Sequence, residues 1–168
     1  VTKRQIILAF SLALLIAVVA SAHEEPAADP ATPLNKERPI TALESVFIEA
    51  LTWMEVRDAI AQGKTRVIIA TGGVEQNGPY VATGKHNYIL QVVTERLAHK
   101  LGDTLVAPIV GFVPEGDFKP KTGHLRYPGT IGVQESTFKA LLLDIAASLR
   151  AHGFREIVLL GDSGRNQQ

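Results

Sequence analysis

The sequence predicts an α/β fold with a mainly parallel sheet and helices packed on its faces. Two observations carry this expectation. Three short apolar runs, Val67 to Ala70, Thr104 to Val110 and Glu156 to Leu160, alternate with longer segments whose apolar residues recur at helical spacing. Each run is followed by a polar, glycine-bearing loop, and right-handed crossovers would bring all of these loops to one edge of the sheet. Such folds carry their chemistry at that edge, at the carboxyl ends of the strands.

The chain opens with Lys3 and Arg4, an apolar run from Ile6 to Ala20, and Ala20-Ser21-Ala22 ahead of the polar His23-Glu24-Glu25. A positive start, a short apolar core and an A-x-A site read as a signal peptide over residues 1–22. Export to the periplasm or the exterior follows as an expectation, with membrane contact only through this segment before cleavage. Residues 23–38 shift to Pro, Ala, Glu and Asp and read as an extended linker that cannot bury enough apolar surface to order itself. Residues 39–168 are of a size for one domain. Lys plus Arg equals Asp plus Glu at 17 each, with no basic run after Arg4, so the footprint of a nucleic-acid binder is missing. The absence of cysteine excludes a disulfide framework and thiolate metal sites.

Within the domain, Thr52 and Glu55 form a T-x-x-E capping box for a first helix carrying Trp53, Val56, Ala59 and Ile60, with Gly63 placed to end it. After the first apolar strand, His86 to Leu101 predicts a second helix with Ile89, Leu90, Val93, Leu97 and Leu101 on one face, closed by Gly102. Following the second strand and a long loop, Phe138, Leu141, Leu142, Ile145 and Leu149 predict a third helix ending near Gly153. A third strand and Gly161-Asp162-Ser163-Gly164 complete the pattern.

The loop after the first strand, Gly72 to Asn87, reads GGVEQNGPYVATGKHN. It resembles the signature of the creatininase family of metal-dependent amidohydrolases, a strand running into E-Q-H-G-P-H followed shortly by a T-D pair. Leu51 to Val56 resembles the family's opening helix, and His124 to Thr130, HLRYPGT, resembles its H-x-x-F-P-G-T segment. The resemblance covers roughly Ile48 to the C-terminus. It implies a three-layer α/β/α domain, a homo-oligomer, and two divalent ions at the edge of the sheet. Family members continue past Asn166 with further helix and strand, so the domain is expected to be incomplete at its C-terminus or completed by a partner subunit.

Laid over this chain, the family's Glu ligand falls on Glu75 and is kept. Its first His falls on Asn77, its bridging Asp on His86, and a later His on Ser163 beside Asp162. Asn and Ser are poor ligands for transition metals. The expected ligands are therefore Glu75, His86 and Asp162, holding one zinc or manganese ion with a position open to water. His124 is the expected proton-transfer group, and Asn77 is expected to orient a ligand or substrate. Gln76, Tyr80, Ser163 and Asn166 are expected on the substrate side. The implied reaction is hydrolysis of a C–N bond in a small amide or cyclic amide.

Plainer roles stay open for each residue. Glu75 would accept backbone N–H bonds, His86 or Asp162 would cap a helix, and His124 would order its loop. Glu115 and Asp117 in the long loop fall within reach of solvent, yet their position on the rim keeps them as weaker site candidates. Two other functions also stay open. Ser163 in G-D-S-G would act as a hydrolase nucleophile with His124 or His86 as base, or the edge would bind a small molecule without catalysis.

Overall fold

At the centre of the domain lies β1 (Arg66–Thr71), whose Val67, Ile68, Ile69 and Ala70 are wholly buried in the computed structural model. The structure describes residues 34–163; the predicted signal peptide, most of the linker and Asn166 lie outside them. The chain divides at Arg38, and the unit Arg38–Gln168 carries the fold. β2 (Thr104–Val106) and β3 (Glu156–Gly161) flank β1 in the order β2-β1-β3, both parallel to it. Burial of β1 on both faces explains its unbroken apolar run.

Three helices cover the two faces. α1 (Trp53–Ala61) starts at the predicted capping box: Thr52 accepts from the Glu55 N–H, and the Glu55 carboxylate accepts from the Thr52 N–H at 2.7 Å. Val56, Ala59 and Ile60 of α1 pack beside Phe138, Leu142, Ile145 and Leu149 of α3 (Glu135–Ala151), over the Val67 and Ile69 face. α2 (Lys85–Leu101) lies on the opposite face, where Leu90 and Leu97 meet Ile68 and Ala70. The result is the expected three-layer α/β/α arrangement.

Two details depart from the sequence reading. The second strand was expected to reach Val110, but regular pairing stops at Val106. Pro108 has no N–H to give, and the chain rejoins β1 only where the Val110 N–H bonds the Ala70 carbonyl at 2.8 Å. The buried row of α2 is His86, Leu90, Thr94 and Ala98, while Ile89, Val93 and Leu101 of the expected face are largely exposed. His86 turns inward to the site, which rotates the helix. Thr94 and Ala98 are small enough to let it approach the sheet, and the Thr94 hydroxyl donates to the Leu90 carbonyl.

Candidate active site

The carboxyl ends of β1 and β3 and the loop after β2 bring five titratable side chains together. Glu75 follows β1, and His86 lies in the first turn of α2. Glu115 and His124 come from the loop between β2 and α3, and Asp162 directly follows β3. Glu75 and His86 are only 5% and 7% exposed, and Glu115 is completely buried. Burying three such groups is costly unless they are compensated by one another or by a ligand.

Glu75 is the hub. Its Oε1 lies 2.7 Å from His86 Nε2, and the other ring nitrogen, Nδ1, lies 2.5 Å from Asp162 Oδ2. Glu75 Oε2, on the other side, is buried and accepts no hydrogen bond, with His124 Nε2 3.6 Å away. One ligand atom each from Glu75, Glu115 and His124 lies within 4.8 Å of the other two. Burial by itself would raise the Glu75 carboxyl; hydrogen bonding with the Glu115 and His86 side chains, with the charges of His124 and His86, outweighs it and holds the group below the usual carboxylate range.

The local sequence explains how these groups meet. Asn87 Oδ1 accepts from the Gly73 N–H at 3.0 Å, tying the Glu75 loop to the start of α2. A Cβ on Gly72 would stand 2.0 Å from that oxygen, so no side chain fits there. Gly73, at φ +151°, leaves room for Glu115: an added Cβ would lie 2.8 Å from Glu115 Oε1. The His124 N–H donates to the Glu115 carbonyl at 3.0 Å, which places the imidazole beside the carboxylate of the same loop.

The expected trio of Glu75, His86 and Asp162 does meet, but as a chain with the ring of His86 between the two carboxylates. Asn77 faces the backbone, its amide donating to the Glu75 and Ala82 carbonyls at 3.0 and 3.4 Å. Gln76 spans from the Gly78 N–H, which it accepts through Oε1 at 3.0 Å, to His124 Nδ1, 3.2 Å from its Nε2. Tyr80 is 96% exposed, and Ser163 is buried. His86 is engaged by carboxylates on both nitrogens and His124 faces Gln76 and Glu75, so among the described residues neither imidazole is poised to activate Ser163.

Glu115 is the residue that the sequence reading undervalued, since a rim position within reach of solvent is the opposite of complete burial. A signal was present in Val113-Pro114-Glu115. In extended chain, alternate residues point the same way, and Val113 is also fully buried. A groove of about 620 Å³ between the long loop, α3 and Leu159 contains none of the five residues, so it is separate from the cluster.

Known proteins resemble this chain in sequence and fold. The family model described as creatinine amidohydrolase matches residues 49–168. A 3-dehydro-scyllo-inosose hydrolase of Thermotoga maritima is 29% identical over 121 residues, covering 71% of this chain and 36% of that protein. A creatinine amidohydrolase of Pseudomonas putida is 29% identical over 122 residues, covering 73% and 46%. A solved structure, creatininase Mn, superposes with a TM-score of 0.67 at 27% identity, over 74% of this chain and 48% of that one. The chain spans less than half the length of the two curated relatives. With the match covering most of the described domain, including every residue of the buried cluster, the chain belongs to the creatininase family.

Proposed function

We propose that this chain is an exported, metal-dependent amidohydrolase that cleaves a C–N bond in a small amide or cyclic amide. The observation that carries the reading is Glu75 Oε2, buried without a hydrogen bond and facing Glu115 and His124. An oxygen and nitrogen donor set with two carboxylates suits manganese or zinc, and the residues present fit such an ion. Glu75, Glu115 and His124 would hold it. Bound there, a divalent ion supplies Lewis-acid activation of water and of a carbonyl.

The chain's own groups have separate work. His86 holds Glu75 through Oε1 and connects it to Asp162, whose side chain is 30% exposed, so a proton can pass between Glu75 and solvent along Asp162 Oδ2 and the two ring nitrogens. Asn77 braces the loop that carries Glu75. The substrate is a small amide by analogy with the creatinine amidohydrolase relative, but creatinine itself is not indicated, because the positions matching the family's His, Asp and His carry Asn77, His86 and Ser163. The other curated relative is named for a different substrate, an inosose.

Export rests on the reading of residues 1–22; an exported protein starting at His23 supports it, and one retaining residues 1–22 contradicts it. Self-association is part of the same proposal. Ile89, Val92 and Val93 of α2 are exposed, and β3 pairs only with β1 among the described residues. The activity is tested by assaying the full chain against small cyclic amides. Hydrolysis that stops on chelation, returns with manganese or zinc and survives Ser163→Ala is the expected result. Hydrolysis indifferent to chelators and abolished by Ser163→Ala would replace the metal with a serine nucleophile.

A further inference from the structure

We infer that this centre takes one divalent ion, on the Glu75–Glu115–His124 side, and that the His86–Asp162 pair fills the position a second ion would need. The inference rests on the proposed metal-dependent reading and gives that site its stoichiometry and ligand set. A second ion between Glu75 and Asp162 would need both carboxylates and a ring nitrogen to face one point. Instead the carboxylates sit on opposite nitrogens of the His86 ring, at 2.7 and 2.5 Å, so the ring occupies the gap. An imidazole bonded on both nitrogens has no lone pair left for a metal.

The other groups near a second site are also engaged or unsuitable. The Asn77 amide is spent on the backbone carbonyls of Glu75 and Ala82. Ser163, although buried, offers only a hydroxyl. On the opposite side the observations reverse. Glu75 Oε2 is buried, takes no hydrogen bond, and shares a space within 4.8 Å with donor atoms of Glu115 and His124. Glu75 therefore divides its two oxygens, Oε1 fixed by His86 and Oε2 offered to the ion. His86 and Asp162 are positioning residues, a carboxylate–histidine pair that orients a ligand and does not itself coordinate.

The test is a titration of the chelator-stripped full chain with manganese, followed by calorimetry and elemental analysis, with circular dichroism to verify that each variant is folded. Wild type is expected to bind one manganese per chain. Glu115→Gln and, as a second variant, His124→Gln are expected to lose binding by a hundredfold or more. Asp162→Asn is expected to keep one ion with affinity reduced about tenfold, as for removal of an outer partner. Two ions per chain, or binding abolished in Asp162→Asn but intact in Glu115→Gln, would overturn the inference while leaving metal dependence standing. No binding in wild type would overturn both.

Discussion

In the proposed site Glu75 offers one oxygen to a cation because the other is held by His86, whereas His124 lacks the matching partner. For His124 Nε2 to face an ion, Nδ1 must carry the proton and needs an acceptor. The residue opposite is Gln76, which presents its Nε2, a donor, to Nδ1 at 3.2 Å while its Oε1 accepts from the Gly78 N–H. A carboxylate would serve both donors and raise the basicity of the imidazole. Gln76→Glu is therefore expected to tighten manganese binding about tenfold in calorimetry; unchanged or weaker binding would count against His124 as a ligand. Gly73 supplies a second prediction. At φ +151° and with a prospective Cβ 2.8 Å from Glu115 Oε1, Gly73→Ala should cost about 1–3 kcal/mol in denaturant unfolding through backbone strain and weaken metal binding by displacing Glu115. Neither position's role was legible beforehand. The sequence points Gln76 toward substrate and Glu115 to the rim, because a single sequence shows spacing along a loop but not which side of it faces inward.

The helices show what local sequence does and does not decide. α1 was readable to its first residue, since a capping box is a local device: Thr52 and Glu55 satisfy each other's backbone N–H groups without help from the rest of the chain. The Glu55 carboxyl is held below its ordinary range by N–H groups of Leu43 and Thr52, then by the Thr52 hydroxyl, against burial and with the charge of Arg38 assisting. Its folded value lies under the unfolded one, so its stabilising effect is present above the unfolded value of about 4.3 and is lost as pH falls through the folded value. The melting temperatures of wild type and Glu55→Gln should accordingly differ at neutral pH and converge on acidification; a gap that is constant with pH would contradict this. α2 was legible in extent but not in rotation. Its apolar residues, Ile89, Leu90, Val93, Leu97 and Leu101, describe an apolar face, yet the buried row contains His86 and Thr94. Polar groups turned inward by a functional site carry no hydrophobic signal, and that is where periodicity fails.

At the scale of the molecule, three parallel strands with helices on both faces fix where every polar loop must end. The convergence of Glu75, His86 and Asp162 was accessible from topology alone. Glu115 and His124 join them from a loop with little regular structure, for which strand and helix periodicity offers no guide. The scaffold that holds this edge depends on β1, and Ile69→Ala, which empties a wholly buried site between β1 and the helices α1 and α3, should cost about 2–5 kcal/mol in chemical denaturation. A loss well under 1 kcal/mol would mean that the core does not bear on that face as described. The central claim is that a divalent ion held by Glu75, Glu115 and His124 makes this chain a hydrolase. Its most direct test is amide hydrolysis by chelated and reconstituted full chain, wild type beside Glu115→Gln. The account predicts that manganese or zinc restores turnover to wild type and not to the folded variant; restoration in both, or turnover that never depended on metal, would contradict it.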